Sequence, residues 1–164
     1  MKKQHYKIGL IIGRFQPFHH GHAYLLKKAL EYCDEIVIGI GSANKTDADN
    51  PWNVVMRKKM IEAFLEHENL ADKVHTIVTL DDMTDEAWTK EVLQKAGNFD
   101  VVIGNNDWVN SLLGDAGKKV LTLPYFQRFL YEGQKIRKNM KEGKEWENRV
   151  PSYITPLLKG TIND

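Results

Sequence analysis

The 164 residues include a single cysteine, Cys33. An intrachain disulfide is thereby excluded, and a reducing compartment fits. No apolar run approaches the ~20 residues that a membrane-spanning helix needs. The first residues, MKKQHY, carry charge and run directly into a strand-like segment without the apolar region of a secretory signal. These absences set the expected location in the cytoplasm, with no membrane partner. An excess of charge of one sign is also missing: 23 Lys and Arg stand against 22 Asp and Glu, a formal net charge of +1. A dedicated nucleic-acid binder carries a basic face, so no nucleic-acid partner is expected. A local field at a small anionic site is still compatible with a neutral chain. Internal repeats and low-complexity tracts are absent, and the length suits one domain, residues 1–164.

What the sequence does contain is alternation. Residues 7–13 (KIGLIIG) form a short, nearly continuous apolar run, the pattern of a strand buried on both faces. Residues 21–33 follow with Ala23, Leu26, Ala29 and Leu30 at helical spacing. Further strands are predicted over 35–41, 74–80, 101–104 and 120–123. Helices are predicted over 51–66, with Asn50 as cap and Pro51 at its first position, after a Thr84 cap, over 107–113, over 136–141 and over 151–159. Cys33 is placed at the end of the first helix. Five strands alternating with helices imply an α/β fold: a Rossmann-like, doubly wound parallel sheet of five strands in a single domain. Ligands of such sheets sit beyond the carboxyl ends of the strands, where strand order reverses. The loops after Gly13, Gly41, Leu80 and Gly104 are the places to look. Residues 42–50 (SANKTDADN) form a polar loop.

The first of these loops is the most informative. Residues 13–22 read GRFQPFHHGH, a glycine turn and three histidines just before a helix that starts near Gly21. A helix amino terminus offers unpaired N–H groups and the positive end of a dipole, so it can hold phosphate. Glycine at 21 lets a bulky anion approach the backbone. His19 and His22, three residues apart, can both donate to phosphate oxygens and stabilise charge on a pentacoordinate phosphorus. No further Cys or His cluster completes a zinc set, so no protein-held metal is expected.

GRFQPFHHGH resembles the GRFQPxHxGH element of the archaeal-type nicotinamide mononucleotide adenylyltransferases. The resemblance continues through EIVIGIGSA at 35–43, Asn50-Pro51-Trp52, FDVVIGNN at 99–106, YEGQKIRKNM at 131–140 and Arg149-Val150-Pro151, nearly the whole chain. It implies transfer of an adenylyl group from ATP to nicotinamide mononucleotide, giving NAD and pyrophosphate, with magnesium carried on the substrate and a homo-oligomeric assembly. Adenylyl or cytidylyl transfer to another phosphate acceptor is the alternative, as is a nucleotide-binding regulator without catalysis.

The resemblance also implies roles for individual residues. His19, His22, Arg14, Arg57 and Arg137 would surround the triphosphate. Gly13, Arg14, Phe15, Gln16 and Gly21 would hold ATP in the first loop, and Gly41, Ser42, Asn105 and Asn106 would line the nucleotide loops. Asp81 would bind a ribose and Trp88 would stack on nicotinamide. Gly133 and Arg137 would belong to a helical part, residues 132–164, that completes the ATP site. Glu132 and Gln134 depart from the pattern, standing where the family has a serine and a threonine directed at the ATP phosphates. Trp52, Trp108 and Trp146 are assigned to packing.

Overall fold

A computed structural model describes residues 4–162. Five strands, β1 (Tyr6–Gly13), β2 (Cys33–Ile40), β3 (Val74–Thr79), β4 (Val101–Gly104) and β5 (Lys119–Thr122), pair in parallel in the order β3-β2-β1-β4-β5. The helices are α1 (His20–Ala29), α2 (Val54–His67), α3 (Asp85–Ala96), α4 (Asp107–Asp115), α5 (Gly133–Lys141) and α6 (Thr155–Leu158). Strand order reverses between β1 and β4, so their carboxyl ends at Gly13 and Gly104 flank the crevice expected of a doubly wound sheet.

Side-chain alternation along each central strand divides the core into two. Ile11, Ile36, Ile38, Ile40, Val101 and Ile103 face one side and pack on α1, α2, α5 and α6. Ile8, Leu10, Val37 and Val102 face the other and pack on Trp88, Val92 and Ala96 of α3 and on Val109 and Leu113 of α4. Both faces are therefore buried along Ile8–Ile11, Ile36–Ile40 and Val101–Ile103, which is why these stretches read as apolar runs. Gly9 serves this packing directly: a Cβ there would lie 3.0 Å from Cys33 Sγ and 3.0 Å from Ile103 Cδ1.

The expected α/β architecture is the one observed, with corrections at element ends. α1 ends at Ala29, four residues before Cys33, and Cys33 opens β2. Its buried thiol donates to Ala29 O at 3.1 Å, and burial pushes its pKa up to about 11. The cap of α2 is Asn53, whose side chain accepts from Met56 N at 2.9 Å, in place of Asn50. Asn50 and Pro51 lie before the helix because Asn50 closes a turn with Asp47, whose Oδ1 accepts from both Asn50 N and Nδ2. The last helix is only the turn Thr155–Leu158. Among the described residues, no helix is long and apolar enough to cross a membrane.

Candidate active site

β1 ends and the chain enters the segment 14–19 with Phe15 in the left-handed region, φ 54°. Phe15 is buried, and its ring lies 4.6 Å from that of His22. α1 then begins with a capping box built from two imidazoles. His19 takes the extended cap conformation and its Nδ1 accepts from Gly21 N at 3.0 Å. His19 N in turn donates to His22 Nδ1 at 3.2 Å. Two amide donors that a helix start leaves orphaned are thereby satisfied. The two rings lie 3.8 Å apart.

This arrangement dictates protonation. A ring nitrogen that accepts from a backbone N–H carries no proton, so each neutral imidazole has its proton on Nε2. Burial holds both rings neutral. It lowers His22 to about 3, and it lowers His19 well below its ordinary value, with His22 and His20 as further causes. His19 and His22 both border one cavity of about 310 Å³, at the crevice between β1 and β4. The site therefore offers two uncharged Nε2–H donors in a fixed orientation.

Three guanidinium groups border the same cavity, those of Arg14, Arg128 and Arg137. Arg14 is steadied by a 3.2 Å bond to Asn50 Oδ1. Arg137 is 5% exposed and donates to Gln16 O at 2.6 Å, which ties α5 to the loop before α1. Gly133 makes that contact possible, since a Cβ there would sit 2.8 Å from Gln16 O. Gly21 has a comparable role: a Cβ would come within 2.8 Å of the His19 ring. The missing Cβ at 21 thus makes room for the capping imidazole, and Gly21 itself borders the cavity. Gly13, Asn105 and Asn106 also border the cavity. Asn106 caps α4 through its side chain, and Asn105 O accepts from Tyr125 Oη at 3.1 Å.

Other expected site residues are placed differently. Arg57 is fully buried and does not border this cavity. Its Nη1 donates to Gly41 O at 2.7 Å and to Arg14 O at 3.0 Å, and its Nη2 donates to Ser42 O at 3.0 Å. It fastens the carboxyl ends of β1 and β2 to α2. Burial lowers its pKa, as does the neighbouring Arg14, while Asp82 opposes them. Gly41 and Ser42 are held by this clamp, with Ser42 in the left-handed region at φ 48°. The Gln16 amide borders the cavity but is committed to backbone: Nε2 donates to Trp52 O at 2.8 Å and Oε1 accepts from Trp52 N at 3.1 Å. Asp81 lies off the cavity, its N donating to Glu91 Oε2 at 3.3 Å. Its neighbour Asp82 instead accepts from the Ser42 hydroxyl at 2.8 Å. Trp88 is 2% exposed, in the core with Val92 and Val109.

The sequence reading missed the segment after β5. Tyr125, Phe126, Arg128 and Tyr131 all border the cavity. Phe126 stacks on Tyr24 of α1 at 4.5 Å, and the Arg128 guanidinium lies 4.2 Å from the Tyr125 ring. The signal was present: PYFQRFLY, residues 124–131, is rich in aromatics and begins where a parallel strand ends. Glu132 borders the cavity too and pairs with Lys135 at 3.5 Å.

Residues 10–139 match the cytidylyltransferase-like family. The chain is 38% identical over 150 residues to the nicotinamide-nucleotide adenylyltransferase of Methanosarcina mazei, covering 90% of this chain and 85% of that protein. It is 37% identical to the nicotinamide-nucleotide adenylyltransferase of Archaeoglobus fulgidus, covering 90% and 88%. A crystal structure of a bifunctional NMN adenylyltransferase/ADP ribose pyrophosphatase from Francisella tularensis superposes with a TM-score of 0.79 at 26% identity, covering 94% of this chain. The chain spans 49% of that longer protein. By both the family match and these relatives, the chain belongs to the cytidylyltransferase-like family and, within it, to the nicotinamide-nucleotide adenylyltransferases.

Proposed function

We propose that this protein transfers the adenylyl group of ATP to nicotinamide mononucleotide, releasing pyrophosphate and forming NAD. The observation that carries the reading is the convergence of two neutral Nε2–H donors, from His19 and His22, with Arg14 and Arg137 on one cavity at the β1/β4 crevice. Such a set suits a triphosphate, because guanidinium forks match phosphate oxygens and fixed dipoles stabilise charge without reorganising. The relatives named nicotinamide-nucleotide adenylyltransferase supply the acceptor.

In the reaction, an oxygen of the acceptor phosphate forms a bond to the α-phosphorus of ATP as the bond from that phosphorus to the bridging oxygen of the β-phosphate breaks. The acceptor phosphate is already anionic at neutral pH, so the site needs no protein nucleophile and no general base. What it supplies is alignment and charge stabilisation. Arg14, Arg128 and Arg137 would hold the triphosphate, and His19 and His22 would donate to oxygens on the α-phosphorus. Arg57 would act behind them, keeping the strand ends in place.

ATP enters as its magnesium complex in this reading, since Mg²⁺ is held mainly by substrate phosphates and water. A bifunctional Francisella tularensis neighbour, of which this chain spans 45%, was crystallised with AMP and a manganese ion. Residues 132–164 complete the ATP site of a single nucleotidyltransferase domain through Gly133 and Arg137. A cytoplasmic, homo-oligomeric enzyme without nucleic-acid or membrane partners completes the proposal. The test is pyrophosphate release with ATP, Mg²⁺ and a panel of phosphate-bearing acceptors. Turnover is expected with nicotinamide mononucleotide and NAD as product. Tight ATP binding with no turnover on any acceptor would instead mark a nucleotide-binding regulator.

A further inference from the structure

Glu132 is the one acid among the described residues that border the active-site cavity, whose charged and titratable lining is otherwise Arg14, Arg128, Arg137, three tyrosines and the two neutral histidines. The chain carries Glu132 across the middle of that group. One residue before it, Tyr131 O would lie 3.4 Å from a Cβ at Gly21, beside the His19 ring. One residue after it, a Cβ at Gly133 would lie 3.0 Å from Arg137 Nη1. The fold makes little use of the carboxylate. Glu132 is the cap residue of α5, yet its side chain makes no capping bond. It pairs with Lys135 at 3.5 Å, and the two side chains are 32% and 51% exposed. A pair so open to water contributes little to stability. A carboxylate is thus kept at a site whose proposed ligand is a polyanion.

We propose that Glu132 makes ATP binding depend on the nucleotide's divalent cation: the carboxylate opposes the metal-free triphosphate, and the cation of Mg-ATP supplies the charge that meets it. The proposal rests on ATP as the nucleotide and deepens that reading. The guanidinium groups by themselves favour the more negative, metal-free form, because attraction grows with charge. A preference for the complexed nucleotide therefore needs a negative group at the site, and Glu132 is placed to be that group. Like charge set against the wrong form is a recognised route to discrimination. Mg²⁺ is commonly bound through one or two carboxylates together with substrate phosphates, the combination that Glu132 and a triphosphate would make. The charges of Asp49 and Asp47 also reach Arg137, but neither residue borders the cavity. Asp47 Oδ1 is moreover taken up by N–H groups of Asp49 and Asn50. Asp49 is therefore the control for a general field effect.

The experiment is isothermal titration calorimetry of the full chain with ATP, in the absence of acceptor, once with excess Mg²⁺ and once with EDTA. The ratio of the two dissociation constants is the readout. In the wild type, ATP is expected to bind at least tenfold more tightly with Mg²⁺. Glu132→Gln is expected to narrow that ratio at least fivefold, mainly by tightening binding in EDTA. Glu132→Ser is expected to do the same, and serine can cap α5, which covers the case in which glutamine disturbs the helix start. Asp49→Asn is expected to leave the ratio within twofold of the wild type. A wild-type ratio near one, or Glu132 variants that keep the wild-type ratio, overturn the proposal. Equal narrowing in Asp49→Asn overturns it too, because the effect would then belong to the general field. A wild type that binds ATP in neither condition is a different result: it removes the nucleotide reading itself, and this role with it.

Discussion

His19 and His22 share the cap of α1, and its bonds fix the tautomer of both rings. The backbone N–H of His19 donates to His22 Nδ1, His19 Nδ1 accepts from Gly21, and the two rings stack 3.8 Å apart. The same bonds that start α1 thus turn both Nε2–H groups into the available donors. Structure and chemistry are joined here at the level of single atoms, and the two can be separated by substitution.

His22→Asn should retain part of the function that His22→Ala loses. An asparagine carbonyl can accept from His19 N while its amide donates forward, whereas alanine removes both. Loss of one donor aimed at a developing negative charge costs about 2.7–4 kcal/mol, so kcat of His22→Ala should fall roughly 10²–10³-fold with a smaller change in KM for ATP. Partial recovery in His22→Asn is expected. Steady-state kinetics check this, and a His22→Ala enzyme with normal kcat would remove His22 from the transition-state contacts.

The pH dependence follows from the direction of the shifts. Burial lowers both histidines, His22 to about 3, against an unfolded value near 6.5. Below pH 6.5 the unfolded chain takes up protons at these positions that the folded chain refuses. Their contribution to stability is therefore complete above pH 6.5 and declines as pH falls toward 3, at up to about 1.4 kcal/mol per pH unit for each histidine. Protonation at Nδ1 would also set N–H against N–H in the cap. Thermal denaturation between pH 4.5 and 7.5 should show a shallower loss in His22→Asn than in the wild type. Equal slopes would contradict the neutral, buried state. Over pH 6 to 8 the free enzyme's kcat/KM should show no inflection from either imidazole.

Much of the architecture was legible in the sequence, because buried parallel strands leave apolar runs such as KIGLIIG and the helices between them show a periodic stripe. The turn that carries His19 and His22 was legible because glycine and histidine sit where a strand gives way to a helix. What the sequence concealed was direction. Arg57 lies on a helix with Lys58 and Lys59, and nothing in spacing tells that its guanidinium turns inward to three carbonyls. Gln16 similarly serves Trp52, 36 positions away. Trp88 and Trp108 illustrate the same point: both sit on predicted helices, and only tertiary contact decides which is covered. The segment 124–131 was passed over because it has neither helical nor strand periodicity.

Arg57 gives a test of scaffold against ligand contact. Arg57→Met leaves Arg14 O, Gly41 O and Ser42 O without that donor. Unmet buried polar groups cost about 1–3 kcal/mol each, and some will regain water, so a total near 3 kcal/mol is expected. For a chain of this size that corresponds to a fall in Tm of roughly 6–12 °C. KM should rise for both substrates, because both strand ends shift. A variant with unchanged Tm and a raised KM for ATP alone would show that Arg57 meets phosphate directly.

Gly133 offers the sharpest steric prediction. A Cβ at this position would lie 2.8 Å from Gln16 O and 3.0 Å from Arg137 Nη1, and the first of these is backbone that cannot swing aside. Gly133→Ala must therefore open the contact between α5 and the loop before α1, weakening the 2.6 Å bond from Arg137 to Gln16 O. Overpacking of this kind costs about 1–3 kcal/mol. Because Arg137 borders the cavity, KM for ATP should rise more than KM for the acceptor. Gly114→Ala is the matched control: it lies inside α4, and its Cβ would meet Val120 Cγ2 at an ordinary 3.7 Å. Alanine is a better helix former there by roughly 0.5–1 kcal/mol, so Tm should hold or rise. Equal Tm and equal KM for ATP in the Gly133 and Gly114 variants would mean that the close approach of α5 to Gln16 has no part in holding Arg137 at the site.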